Sequence, residues 1–184
     1  MKLWWNGTIV DEGEAVIPPT DHGFLYGIGL FETFRTYGGK PFLLARHLER
    51  LRSGCRELRI HYAPEEGEIR RAVADLLEIN GLEEAYVRWS VSAGPAPHGL
   101  PPASGYARPN VLMMAKSLPA GSGAATVAGD TGKELHLLNL PRSTPEGRRR
   151  TKSFHYMNNI LAKWELAERT SSPQAEGLFT DGSG

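Results

Sequence analysis

Residues 30–59 read LFETFRTYGGKPFLLARHLERLRSGCRELR and predict a strand, a tight turn and a helix in succession. The segment 30–37 is rich in aromatic and β-branched residues, which favour strands. Two glycines follow and predict a hairpin turn into a short second strand, 41–44. From about Ala45 to Arg59, apolar residues recur at spacings of three and four, which predicts a helix with one buried face.

The remaining strands are predicted from the alternation of apolar and polar residues, and the remaining helices from apolar residues at spacings of three and four. We predict the following: a hairpin around Asn6-Gly7, strands at 86–94, 110–118, 134–140 and 175–180, and helices at 64–80 and 154–169. This order predicts an α+β architecture in which an antiparallel sheet carries helices. Residues 1–118 would form an N-terminal domain, the Gly- and Ala-rich stretch 119–133 a linker, and 134–184 the beginning of a second domain.

The composition narrows the classes of function. The chain has 184 residues, with 21 basic residues against 21 acidic ones, so nothing indicates a nucleic-acid or anionic-membrane partner. The single cysteine, Cys55, cannot form an intrachain disulfide, and the histidines lie at no metal-ligand spacing, so we expect no metal. No apolar stretch has the length of a signal peptide or a transmembrane helix, and we expect a cytoplasmic protein.

Residues 148–159, RRRTKSFHYMNN, place Lys152 between three arginines and the predicted start of a helix, with Ser153 as a possible cap. Neighbouring positive charges and a helix N-terminus both disfavour a protonated amine, so the pattern predicts a lowered pKa for Lys152. A lysine that is partly neutral is a nucleophile towards carbonyl carbons. The alternative interpretation is a solvated basic loop, and the local pattern does not decide between them.

Three other features of the sequence each allow two interpretations, one in which the residues bind a ligand and one in which they are structural. The stretch 21–33, DHGFLYGIGLFET, is no dinucleotide fingerprint, and its Tyr26 and Phe31 could line a ligand pocket or belong to the core. Arg88 lies within a predicted strand, where it would bind a substrate carboxylate or form a structural salt bridge. The arginines of the first long helix form a solvated face, unless one of them binds a phosphate group.

Taken together, DHGFLYGIGLFETFRTYGGKPFLLARHLERL and RSTPEGRRRTKSFHYMNNILAKWELA resemble the two signature segments of the fold-type IV pyridoxal-phosphate enzymes. The resemblance implies a two-domain fold whose second domain is an α/β barrel-like unit, of which this chain holds the beginning. It implies pyridoxal 5'-phosphate as cofactor, a small-molecule substrate and a homodimer. Lys152 falls on the family's Schiff-base lysine, Arg50 on its phosphate-binding arginine, and Tyr156 near a tyrosine that contacts the cofactor's phenolic oxygen.

The resemblance also implies the substrate side and the reaction. Tyr26, Phe31 and Arg88 fall on substrate-lining positions, and Thr33 would face the same pocket. FLYGIGLFETFR together with TPEG and KSFHYMNN is most similar to the 4-amino-4-deoxychorismate lyases, which implies release of pyruvate and formation of 4-aminobenzoate for folate biosynthesis. The alternatives are a branched-chain or D-amino acid aminotransferase, or a non-catalytic fragment.

Family members are longer than this chain. The resemblance places the glutamate that binds the cofactor's ring nitrogen after Gly184. The chain would then be a fragment of a longer product or a truncated remnant, and we expect a fragment because the segments before Gly184 look undamaged. Such a carboxylate normally keeps the ring protonated and electron-withdrawing.

Overall fold

The computed structural model describes residues 1–97, 99, 101, 103–118, 132–147 and 149–181. Its contacts divide the chain into two compact units. The first unit comprises Met1–Ala120 together with Lys152–Phe154, and the second comprises Gly121–Thr151 and His155–Gly184. Most of the predicted linker, residues 119–131, lies outside the described residues, as does Arg148. The predicted domain bounds therefore stay a prediction.

The first unit is built on a six-stranded antiparallel sheet with strand order β2-β1-β6-β5-β3-β4. Its strands are β1 (Lys2–Trp5), β2 (Thr8–Asp11), β3 (Gly29–Tyr37), β4 (Lys40–Pro41), β5 (Ala85–Ser92) and β6 (Asn110–Ser117). Asn6 and Gly7 both have positive φ, of 47° and 99°, as the hairpin turn between β1 and β2 requires. This finding confirms the predicted turn.

Two helices cover the sheet, α2 (Leu44–Glu57) and α3 (Glu66–Ile79). The apolar stripe of each is buried with the central strands, around Trp89, whose side chain is fully enclosed. The predicted strand over 41–44 is wrong beyond Pro41, because Leu44 is already the first residue of α2 and is 1% exposed in the core. Burying that leucine on the helical face favours the helix over a longer hairpin.

A short helix, α1 (His22–Tyr26), lies in the glycine-spaced stretch for which no helix was predicted. Asp21 begins it, because its carboxylate accepts a hydrogen bond from Gly23 N at 2.6 Å. Gly27, at φ +72°, ends it after five residues. A helix this short has too few residues to show an apolar periodicity, which is why the pattern missed it.

The second unit contains two short parallel strands, β7 (Leu135–Leu137) and β8 (Glu176–Leu178), and helix α4 (Met157–Arg169). Its small core consists of Leu138, Ala162, Leu166 and Ala175. The predicted start of α4 at Phe154 is wrong, and so is the cap at Ser153, because the N-cap residue is Tyr156. Ser153 instead pairs with Leu30 in the first unit.

Among the described residues, no helix is both long and apolar enough to cross a membrane. Within the same residues, no three histidine, cysteine or acidic side chains are arranged to hold a metal ion.

Candidate active site around Lys152

Strand β3 organises the candidate site through the alternation of its side chains. Phe31 and Thr33 lie on one face of the sheet, and Glu32 between them lies on the other. In the antiparallel register with β5, Thr33 is directly opposite Arg88. The Arg88 guanidinium therefore reaches the neighbouring ring of Phe31, with 3.9 Å between its Cζ atom and the ring centre.

The segment Lys152–Phe154 pairs with the first residues of β3, along the part of its edge that β4 does not cover. Phe31 N donates to Lys152 O at 2.9 Å, and Phe154 N donates to Gly29 O at 3.0 Å. Gly29 makes this approach possible, since a Cβ atom there would lie 2.2 Å from Cε2 of Phe154. The lysine is thus held by main-chain contacts to the strand that carries Phe31, and its Nζ lies 4.7 Å from that ring's centre.

The surroundings of Lys152 lower its pKa. Partial burial is the largest cause, and the positive charges of Arg50 and Arg88 act in the same direction, whereas the Glu32 carboxylate opposes them. The predicted direction is confirmed, but the causes found among the described residues differ from the predicted ones, since Arg149 and Arg150 are not among them and Arg148 lies outside the described residues. Helix α4 begins only at Met157, and the guanidinium of Arg150 donates to the carbonyl oxygen of Ser143. The main cause of the lowered pKa is instead the burial of Lys152 against β3, which no local sequence pattern reveals.

Glu32 is 1% exposed and was not among the candidates from the sequence. Its carboxylate accepts hydrogen bonds from Arg50 Nε at 2.6 Å and Arg50 Nη2 at 2.5 Å, and its Oε2 lies 2.8 Å from His47 Nδ1. His47 and Arg50 are three residues apart on α2 and so reach the same side of the helix. A signal was present: an acidic residue at a core-facing strand position needs a partner on the element that covers it.

The two tyrosines predicted for the site, Tyr26 and Tyr156, lie in different parts of the structure. Tyr26 ends α1 and is 48% exposed, with its ring in edge-to-face contact with His22 at a centroid distance of 4.8 Å. Tyr156 belongs to the second unit, where it precedes the first residue of α4. Within the first unit, Lys152 and Arg88 both contact the ring of Phe31, Thr33 is opposite Arg88 in the strand register, and the charge of Arg50 acts on Lys152.

A second network that sequence reasoning missed anchors the stretch before β3. Asp21 is fully buried and accepts hydrogen bonds from Ser92 Oγ and Asn110 Nδ2, both at 2.6 Å. His22, also fully buried, lies 3.1 Å from the hydroxyl of Tyr106. Because these contacts join α1 to β5 and β6, they hold the entry to β3 in place.

The residues around Lys152 fit a ligand that carries both an aldehyde and a phosphate. A partly buried amine with a lowered pKa suits attack on a carbonyl carbon. The two arginines whose charges act on this amine suit a neighbouring anion, and guanidinium geometry matches phosphate oxygens.

A family model described as amino-transferase class IV matches residues 29–184, from the first residue of β3 through Lys152 and beyond. The chain belongs to the class IV aminotransferase family.

Two curated proteins of this kind are similar to most of the chain. The aminodeoxychorismate lyase of Bacillus subtilis (strain 168) is 41% identical over 179 residues, which are 96% of this chain and 58% of that protein. A putative branched-chain-amino-acid aminotransferase of Methanocaldococcus jannaschii is 33% identical over 164 residues, which are 89% of this chain and 54% of that protein. This chain therefore spans little more than half the length of these curated relatives.

Among solved structures, a branched-chain amino acid aminotransferase from T.th., complexed with N-(5'-phosphopyridoxyl)-L-glutamate, matches the whole chain with a TM-score of 0.80 at 25% identity. The chain covers 59% of that structure. The match confirms the predicted α+β fold of the fold-type IV enzymes.

Proposed function

We propose that this chain is part of a pyridoxal-phosphate-dependent 4-amino-4-deoxychorismate lyase, which releases pyruvate and forms 4-aminobenzoate for folate biosynthesis. One observation carries the proposal: the Lys152 amine is partly buried, has a lowered pKa and is held against β3 beside Arg88 and Phe31. The identity of 41% to the Bacillus subtilis aminodeoxychorismate lyase favours the lyase reaction over others of the family. The family resemblance further implies a homodimer, and we also propose a cytoplasmic location.

We assign the following roles in binding the cofactor and the substrate. Lys152 holds the cofactor through its amine, Arg50 donates to the phosphate, and Tyr156 contacts the phenolic oxygen. When bound, pyridoxal phosphate supplies an electron sink for the negative charge left on a substrate carbon. Phe31, Thr33, Tyr26 and Arg88 line the substrate side, where the Arg88 guanidinium suits a carboxylate of the substrate.

Lys152 would also act as the general base. With the substrate amine in its place on the cofactor, the freed and unprotonated Nζ of Lys152 would take the proton from the substrate carbon that bears the amine. The bond from the ring to the enolpyruvyl oxygen would then break with its electron pair on that oxygen, and the six-membered ring would become aromatic. The released enolpyruvate would take up a proton and become pyruvate. The lowered pKa serves this step, because it keeps more of the amine unprotonated near neutral pH.

Borohydride reduction after incubation with pyridoxal phosphate tests the cofactor site, since it fixes the cofactor on the lysine that holds it. Mass spectrometry of the peptides is expected to find the adduct on Lys152. The Lys152→Ala variant is expected to carry none there, whereas Lys40→Ala, which removes an exposed lysine of β4, should be labelled like the unaltered chain. An adduct distributed over the exposed lysines would contradict the assignment.

A second candidate is an aminotransferase reaction at the same site, favoured by the 33% identity to the Methanocaldococcus jannaschii protein. Product analysis distinguishes the two. Release of pyruvate and 4-aminobenzoate from 4-amino-4-deoxychorismate supports the lyase, whereas a new keto acid that forms only with an amino donor supports the aminotransferase. A chain that never gains visible absorption with pyridoxal phosphate would be a non-catalytic fragment.

A further inference from the structure

The Glu32 carboxylate is an unusual group for the interior of a sheet–helix layer. It is 1% exposed, and an ionised carboxylate in such a place needs charged or hydrogen-bonding partners. Among the described residues, its hydrogen-bonding partners come from α2, with two hydrogen bonds from Arg50 and a contact of 2.8 Å to His47 Nδ1. The chain therefore maintains a buried negative charge directly across β3 from the Phe31 face.

The pairing with Arg50 has a specific geometry. A guanidinium is a planar fork with five N–H donors, and it can bind one bidentate acceptor on each of two edges. Glu32 takes the edge formed by Nε and Nη2, at 2.6 and 2.5 Å. Among the described residues, all hydrogen bonds of Arg50 go through these two nitrogens. The edge that contains Nη1 is left for another acceptor.

The exposure of the two partners is unequal, and this argues against a purely structural ion pair. The Arg50 side chain is 56% exposed, so water could solvate this guanidinium without any help from Glu32. An exposed arginine normally samples many rotamers, and a ligand must immobilise it at a cost. A buried bidentate partner removes that freedom in advance, and the free edge then keeps a constant direction.

We propose that Glu32 is a positioning residue that holds Arg50 by its Nε–Nη2 edge, so that the remaining guanidinium edge binds the phosphate group of the cofactor. This inference rests on the proposed function, because it assigns the phosphate to Arg50. Glu32 does not touch the phosphate in this arrangement. It acts through Arg50, and His47 holds the carboxylate from the second side.

The structure provides a second, independent consequence of the Glu32 charge. Glu32 raises the pKa of Lys152 against the effects of burial, Arg50 and Arg88. Removing the charge while keeping the shape, as in Glu32→Gln, is therefore expected to lower the pKa of Lys152 further.

The test compares the affinity for pyridoxal 5'-phosphate with that for pyridoxal, which has the aldehyde but lacks the phosphate. Binding to the full 184-residue chain is followed by visible absorbance. Glu32→Gln is expected to weaken pyridoxal phosphate binding by roughly 10- to 100-fold, the usual effect of losing a charge-assisted hydrogen-bonded partner. Pyridoxal makes no contact through a phosphate, so its binding should change only through the pKa of Lys152 and by much less than that of pyridoxal phosphate. Glu66→Gln is the matched control, since Glu66 forms an exposed ion pair with Arg70 on α3.

Each result has a distinct meaning. Equal losses for both ligands, or no loss for either, would overturn the positioning role and leave the proposed function standing. Absence of a reducible adduct on Lys152 in the unaltered chain would overturn the proposed function and this inference with it. Should Glu32→Gln fail to fold, as judged by circular dichroism, the nitrogen-15 NMR signal of Arg50 Nε in the unaltered chain decides. We expect slow proton exchange there, and rapid exchange would refute the bond to Glu32.

Discussion

Phe31 and Lys152 are 121 residues apart in the chain and are joined by a main-chain hydrogen bond of 2.9 Å from Phe31 N to Lys152 O. The same residue pair makes a second contact, because Lys152 Nζ lies 4.7 Å from the Phe31 ring centre. One strand thus positions both the backbone and the amine of the lysine. This arrangement suits a nucleophile, since the side chain begins from a fixed point beside an aromatic wall.

Gly29→Ala is expected to destabilise the protein by about 1–3 kcal/mol, the usual cost of overpacking. The new Cβ would lie 2.2 Å from Phe154 Cε2 and would push the Lys152–Phe154 segment off β3. Urea unfolding measures the loss. Gly13→Ala is the control, because nothing lies within 4 Å of its Cβ position. If adding Phe154→Ala restored none of the lost stability, the proposed clash would be wrong.

Lys152 is expected to react with amine reagents at lower pH than an ordinary lysine. Its lowered pKa leaves a larger unprotonated fraction at any pH below the ordinary value of 10.5. Competitive labelling with isotopic acetic anhydride across a pH series, read by mass spectrometry, gives the midpoint. The control is the same residue in urea-unfolded chain, and an equal or higher midpoint in the folded chain would refute the effect of burial.

The same pKa shift links folding to pH. Between the lowered pKa and 10.5, the folded chain binds fewer protons at Lys152 than the unfolded chain does. The contribution of Lys152 to stability therefore rises with pH across that window, and below the lowered pKa its penalty is fully present. Unfolding midpoints of the unaltered chain and Lys152→Met should converge as the pH rises towards 10.5. A difference between the two midpoints that grew as the pH rose would contradict the expected direction of the effect.

Asp21→Ala is expected to cost about 2–4 kcal/mol, because the buried hydroxyl of Ser92 and the part-buried N–H groups of Gly23 and Asn110 would lose their shared acceptor. Thermal or urea unfolding measures the cost. Asp11→Ala, which removes an exposed carboxylate paired with Lys2, should cost much less. Equal losses in the two variants would show that the Asp21 network contributes little.

Cys55 is expected to be inert in the folded protein. Burial in the α2 stripe raises the pKa of its thiol to about 12, so the reactive thiolate is scarce at neutral and mildly alkaline pH. Ellman's reagent should detect no thiol in the native chain and one after unfolding in guanidinium. Rapid native reaction would mean that α2 opens readily, since the reagent reaches the sulfur only from outside the core.

Local patterns predicted the long elements well and the site only in part. The strand β3 and helices α2 and α3 have sustained periodicity, and their predicted bounds differ from the structure by a few residues. The five-residue helix α1 carries too little pattern, and Ser153 was assigned to a helix that begins later. The functional roles of Lys152 and Arg50 came from resemblance and stay predictions.

The chemistry of the site depends on partners that are distant in sequence. Glu32 escaped notice because a strand position does not reveal which helix will cover it, and only α2 supplies His47 and Arg50. The lowered pKa of Lys152 was expected from nearby arginines and a helix end. The structure attributes it to burial and to Arg50 and Arg88, which are far away along the chain.

The amino-acid sequence by itself determined the long strands and helices, the hairpin at Asn6-Gly7 and the membership in a family, because periodicity, turn chemistry and signature segments are local properties. Only the tertiary structure decided that Lys152 lies against β3, that Glu32 is buried under Arg50, and that Gly29 must lack a side chain. The physical reason is that burial, charge pairing and close approach arise between segments that meet only after the chain has folded.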